Sequence, residues 1–190
     1  MYLCECSASE LARLIREKEV PATEVVQAHL ERIEQVNPQL NAVVQLRAEA
    51  ALAEARQADE RLAVGAPVGP LHGVPMTIKD SLDSKDLISA AGTTGRAHFI
   101  PPADATVVSR LRNAGAILLG KTNTPELTLA YETDNLVYGR SNNPHDMRKT
   151  AGGSSGGAAA IIATGGAPFD IGSDTGGSIR QPAGLCGVTG

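Results

Sequence analysis

Two serine-bearing glycine segments and one lysine carry groups able to do chemistry. Gly152-Gly153-Ser154-Ser155-Gly156-Gly157 and Asp174-Thr175-Gly176-Gly177-Ser178-Ile179-Arg180 set hydroxyls among residues without a β-carbon. Such a backbone comes close to a substrate carbonyl and tolerates unusual φ/ψ values. A serine preceded by free backbone N–H groups suits nucleophilic attack, because donors aimed at a developing oxyanion contribute on the order of 3 kcal/mol each. Alone, the second segment reads equally well as a glycine-rich turn closed by an Asp174–Arg180 ion pair. Lys79 ends the apolar run Val74-Pro75-Met76-Thr77-Ile78. Most lysines after a strand are solvated surface charges. A buried one loses its proton more readily, because desolvation disfavours the ammonium, and it then serves as a base at neutral pH.

Two other pattern matches point elsewhere; physical grounds count against the first and weaken the second, which stays open should a histidine follow Gly190. Gly115-Ala-Ile-Leu-Leu-Gly120-Lys121-Thr122 fits the phosphate-binding pattern G-x-x-x-x-G-K-[ST]. A phosphate cradle needs an open loop after a strand, whereas the four middle residues here are apolar and read as a strand themselves. Saturable nucleotide binding is therefore expected to be absent. Gly153 to Gly157 fits G-x-S-x-G with Ser155 as nucleophile. That elbow needs a strand before it and a histidine after it. The preceding residues, Asn142 to Asp146, read as a loop, and His29, His72, His98 and His145 all come earlier in the chain.

The combination decides between these readings. Leu71-His72-Gly73-Val74-Pro75-Met76-Thr77-Ile78-Lys79-Asp80, Gly120-Lys121-Thr122-Asn123, Gly152 to Gly157, and Asp174 to Pro182 occur in that order. The set resembles the amidase-signature family at each block, from about residue 7 to the C-terminus, and the interval from Ser154 to Ser178 is similar to the family's. The two Gly-Ser blocks are the specific part. The resemblance implies Ser178 as nucleophile, Ser154 as the bridging serine on a cis peptide, and Lys79 as the base. It implies the backbone N–H groups of Thr175, Gly176, Gly177 and Ser178 as the oxyanion hole and Thr128 as a pocket-lining position. Ser155, Asp174 and Arg180 are read as supports that do not react. Ala151 departs from the family pattern, where many members have proline before the Gly-Gly.

That resemblance implies an amidase, a hydrolase of linear carboxylic amides working through an acyl-enzyme on Ser178. It implies a small-molecule amide as partner and neither cofactor nor metal; no His/Cys/Asp cluster here has ligand spacing. A homodimer is compatible with it. A first alternative is the A subunit of a glutamyl-tRNA(Gln) amidotransferase, which Ser173 to Ala183 closely resembles, although Asn123 to Asn135 is more similar to stand-alone amidases. Direct nucleic-acid contact is expected only in that alternative. A second alternative is an inactive, truncated chain with unpaired strand edges.

The elements that must position these groups follow from pattern and composition. The chain has 190 residues, 42% hydrophobic and 20% charged, which suits a packed domain rather than disorder. With two Phe, three Tyr and no Trp, its core must be built from Ala, Val, Leu and Ile. A net charge of -4 without a basic block argues against a nucleic-acid surface. Three cysteines, Cys4, Cys6 and Cys186, are an odd number for a disulfide framework, so reduced thiols in the cytoplasm are the plain reading. No signal peptide is read at the start, and the apolar stretch from Gly156 to Pro168 is too short to span a membrane.

Ser7-x-x-Glu10 predicts a capping box opening a helix. Thr23 is expected to cap a second helix that stops at Asn37-Pro38, and residues 46–62 form a third. After a Gly/Pro link at 65–70, the spacing predicts a strand at 74–78, a helix at 104–113 and a strand at 116–119. Residues 133–157 read as loop, 158–163 as a small buried helix, and 169–172 as the entry to a glycine-rich turn. The last residues, 186–190, offer no cap or terminator, as if the chain stopped inside a domain. Together these predict an α/β fold with a central mixed β-sheet flanked by helices: 1–64 a helical lead-in, and 71–190 the catalytic-core part of a single amidase-signature domain.

Overall fold

The computed structural model describes residues 3–190. Ser7 Oγ accepts from Glu10 N (3.2 Å) and opens α1 (Ala8–Arg16), so the Ser7 half of the expected capping box forms, while the Glu10 carboxylate pairs with Arg13 instead. Leu11, Leu14 and Ile15 form its buried face. α2 (Ala22–Leu40) departs from expectation at both ends. Thr23 lies inside the helix, and the cap comes from Asp59 in α3 (Ala48–Ala63): its carboxylate accepts from Ala22 N (2.6 Å), Thr23 N (3.1 Å) and Thr23 Oγ1 (2.8 Å). At the other end α2 runs through Pro38 to Asn41, which adopts φ 48. Pro38, in the last turn, gives up one N–H bond toward Glu34 O, and just beyond the helix Asn37 Oδ1 accepts from Ala42 N and Val43 N (2.9 and 2.8 Å).

The strands are β1 (Val43–Leu46), β2 (Pro75–Lys79), β3 (Ile117–Thr122), β4 (Asn142–Asn143), β5 (Asp146–Thr150) and β6 (Asp170–Ile171). Four form a mixed sheet in the order β1-β3-β2-β6, with β1 antiparallel to β3 and the other pairs parallel. β1 and β6 have no counterpart in the sequence reading, because four and two residues are too few to show a period. β4 and β5 pair as a separate ribbon, so the expected loop at 133–157 contains a hairpin. α4 (Thr106–Asn113) connects β2 to β3. Asp104 stays outside it and accepts from Lys85 N (2.6 Å) and Arg112 Nη1 (3.1 Å). α5 (Gly156–Ala163) is buried around most of its circumference. α6 (Arg180–Cys186) was not expected, and it ends on Gly187 at φ 72, so the tail does carry a helix terminator.

The sheet separates two apolar layers. Ile117 and Leu119 face α1, α2, α3 and α5, whose Leu11, Ile15, Val25, Val26, Ile33 and Ile161 complete the larger core. Met76, Ile78 and Leu118 face α4 through Val108. Each fully buried Leu or Ile stabilises the fold by about 1.5–3 kcal/mol. The phosphate-loop match lies within this sheet: a Cβ on Gly120 would come within 2.1 Å of Gln45 O, so the glycine lets β1 and β3 close together. None of the three cysteines is in a disulfide, and among the described residues no helix is long and apolar enough to cross a membrane.

Candidate active site

Lys79 is the last residue of β2 and is wholly buried. Side chains alternate across a strand, so Thr77 and Lys79 point to the α5 side while Met76 and Ile78 point to α4. Lys79 Nζ meets three hydroxyls: Ser154 Oγ at 2.6 Å, Ser155 Oγ at 3.0 Å and Ser173 Oγ at 3.0 Å. Burial draws its pKa down to about 8, and the negative charges of Asp170 and then Asp174 oppose that fall. The N-terminus of α5, one residue beyond Ser155, presents the positive end of its dipole here and further disfavours an ammonium.

The first Gly-Ser loop is fixed from several sides. The Gly153–Ser154 peptide is cis. Thr124 Oγ1 donates to Ser154 O (2.9 Å), Thr133 Oγ1 to Gly152 O (2.8 Å), and Gly156 N to Thr133 Oγ1 (3.1 Å). α5 starts hard against the sheet: a Cβ on Gly157 would lie 2.5 Å from Asn123 N and 2.7 Å from Ala42 O.

The second loop is organised by Asp174. Its carboxylate accepts from Gly177 N (2.8 Å), Ile179 N (3.0 Å) and Arg180 N (3.2 Å), and pairs with the Arg180 guanidinium (2.8 Å). Arg180, with those backbone donors, holds the Asp174 carboxyl far below the usual range. Ser155 N donates to Ser178 O (3.1 Å), which ties the two loops together. Among the described residues the N–H groups of Thr175, Gly176 and Ser178 and the Ser178 hydroxyl have no hydrogen-bond partner, whereas the Gly177 N–H is engaged by Asp174. The arrangement is a buried amine against serine hydroxyls, beside a half-exposed serine with three unpaired N–H donors.

Lys79, Ser154 and Ser155 therefore meet directly, and Ser178 joins them through the backbone. Thr128 makes no hydrogen bond to any of them; its N–H donates to Pro125 O (3.0 Å). It follows Leu127, and both have positive φ (62° and 49°). Its segment reaches the site through Tyr131, whose hydroxyl donates to Gly176 O (3.1 Å). Ser173, Asp170 and Tyr131 were missed in the sequence. Asp170 left a readable trace, a lone carboxylate within the apolar run Phe169-Asp170-Ile171. For the alternative nucleophile, no histidine contacts Ser155: His145 Nε2 bonds Cys186 O and His72 Nε2 bonds Ala58 O. Among the described residues no group of three His, Cys, Asp or Glu is placed to hold a metal ion.

Residues 24–190 match the family described as Amidase. The chain is 46% identical over 184 residues to the A subunit of the glutamyl-tRNA(Gln) amidotransferase of Acidothermus cellulolyticus, covering 97% of this chain and 36% of that relative. Among solved structures it is similar to a bacterial aryl acylamidase of the amidase-signature enzymes (TM-score 0.88, 38% identity, 94% of this chain, 37% of the other). It is also similar to the peptide amidase of Stenotrophomonas maltophilia (TM-score 0.90, 34% identity, 96% and 39%). The chain thus spans well under half the length of the relatives it matches. With the central mixed sheet shared across those structures and the match running through both Gly-Ser loops, this chain belongs to the amidase-signature family.

Proposed function

We propose that this site hydrolyses the C–N bond of a carboxylic amide, with Ser178 as nucleophile, Ser154 as proton bridge and Lys79 as base. The observation that carries the reading is the 2.6 Å contact between the buried Lys79 Nζ and Ser154 Oγ. Neutral Lys79 accepts the Ser154 proton while Ser154 accepts the Ser178 proton, and Ser178 Oγ attacks the carbonyl carbon. The N–H groups of Thr175, Gly176 and Ser178 face the oxyanion, while Gly177, bonded to Asp174, supports the turn. The relay returns a proton to the departing nitrogen, the amine leaves, and water releases the acid from the acyl-enzyme by the reverse sequence. Ser178→Ala should abolish amide hydrolysis, measured as ammonia or amine release. Near-full turnover in that variant would sink the assignment.

A second reading is favoured by the 46% identity to the A subunit of an amidotransferase. There the same relay would act on glutamine and deliver ammonia to a partner. Glutaminase activity that rises on addition of partner subunits supports it, and hydrolysis of simple amides without any partner supports the stand-alone amidase.

A further inference from the structure

We infer that Asp170 is a positioning residue that acts through Lys79, its carboxylate serving as the buried counter-charge that governs when the base gives up its proton. The inference rests on the reading of Lys79 as base. Asp170 pairs in register with Thr77, and Lys79 pairs with Thr122 on the other side of β2. Asp170 Oδ2 accepts from Thr122 Oγ1 at 2.9 Å. The carboxylate therefore reaches from β6 across β2 to β3, on the face from which Lys79 projects. Its second oxygen, Oδ1, is buried with only the Thr77 hydroxyl close by, outside hydrogen-bond geometry, and Thr77 Oγ1 has no other partner. An unsatisfied buried carboxylate oxygen is costly unless a positive charge lies near. The groups in direct contact with Lys79 Nζ are neutral hydroxyls.

The charged groups facing this pair come from each surrounding element. Asp174 acts on Lys79 from the second Gly-Ser loop, but Arg180 at 2.8 Å compensates its charge. Lys121 of β3 acts on Asp170 from the other side of the sheet. That leaves Asp170 as the carboxylate without a paired cation beside the base. Burial raises it to about 6, with Thr77, Thr122 and both lysines pulling the other way, so it ionises before Lys79 loses its proton near 8. A plain structural tie between β3 and β6 would use the same Thr122 bond, and the two roles separate by titration.

The test is a carbon NMR titration of the Lys79 Cε signal in the full chain, identified by its loss in Lys79→Met. Asp170→Asn keeps a partner for Thr122 and removes the charge. The Lys79 midpoint should then fall by about one pH unit, and the acid limb of kcat/KM should move down with it. An unchanged midpoint with a lowered melting temperature would mean a tie only and overturns the inference. Should Asp170→Asn fail to fold, the wild-type curve decides. Lys79 Cε should show a second, smaller inflection near pH 6, as coupled groups do, and a single smooth step overturns the inference. Neither NMR readout needs turnover, so an active Ser178→Ala variant would remove the proposed reaction and leave the Asp170–Lys79 coupling standing.

Discussion

Lys79 and Lys121 stand on neighbouring strands, β2 and β3, both wholly buried and both drawn by burial to about 8. Both are ringed by serines, yet they point to opposite faces of the sheet and have different partners. Lys79 meets three hydroxyls, each able to donate or accept as the amine changes charge. Lys121 donates to the Leu82 carbonyl, to Ser89 Oγ (3.0 Å) and to Ser84 Oγ (3.3 Å). A carbonyl only accepts, so this setting favours an amine that keeps its protons. The Lys121 surroundings are closed by Gln45, which bonds Ile88 on both its N–H and C=O and reaches Asp80 (3.3 Å). The Lys79 surroundings open toward Ser178 and unpaired N–H groups. Burial lowers a lysine pKa in either place; exchangeable partners beside an open loop suit the proposed base, and fixed acceptors suit a strut.

Replacing each lysine by methionine should split the two roles. Lys79→Met is expected to lower amide hydrolysis by about 10²–10⁴-fold, with a smaller stability loss than Lys121→Met, because relief of the buried ammonium offsets the loss of a positive charge near Asp170. Lys121→Met leaves the Leu82 carbonyl and two hydroxyls without their donor and removes the positive charge near buried Asp80, and should cost about 3 kcal/mol or more in denaturant unfolding. Equal stability losses in both variants would erase the distinction.

A pH series tests whether burial is the shared cause. Each lysine has its folded pKa lowered from 10.5 to about 8, so between these values the unfolded chain binds more protons and stability rises with pH. Below pH 8 the burial penalty is complete, about 3 kcal/mol per lysine. Tyr138 and Cys186, raised by burial to about 12 and 11, pull the other way. The informative quantity is therefore wild type minus Lys79→Met, which should become more favourable to wild type from pH 8 to 10. A flat difference would contradict a lowered Lys79. Turnover should meanwhile fall as pH drops below about 8, where Lys79 becomes protonated.

Single hydroxyls give a finer comparison. Ser84→Ala removes one Lys121 partner and should cost about 1 kcal/mol of stability with turnover unchanged. Ser173→Ala removes one Lys79 partner and should lower kcat/KM several-fold, about 1 kcal/mol of barrier, with little change in melting. Exchange of these two outcomes would reverse the assignment of base and strut.

The sequence carried the lysine and the two Gly-Ser loops because their residue types and order are specific. It also carried α1, whose cap is local in Ser7 and Glu10. It failed where partners are remote. Asp59 caps α2 from α3, so nothing near Thr23 announced it. β6 has two residues and shows itself only by pairing with β2, which is why Asp170 was overlooked. Ser173 was hidden beside Asp174, the more conspicuous residue of the turn. The phosphate-loop pattern misled in letters alone, since Gly120 is spent on strand packing and Lys121 on the buried strut.

The smallest effect separates two devices within the second loop. Arg180 is 71% exposed at its side chain, so its ion pair with Asp174 is screened by solvent and contributes little. Arg180→Gln should shift melting by no more than about 1 °C and leave turnover within about twofold. Asp174 would still accept from Gly177 N, Ile179 N and Arg180 N, and those bonds set the turn ahead of Ser178. Asp174→Ala removes all of them and should lower turnover far more than Arg180→Gln does. If the two variants lose activity equally, the ion pair rather than the backbone cap orders the Ser178 loop, and the open side of the Lys79 site depends on surface charge after all.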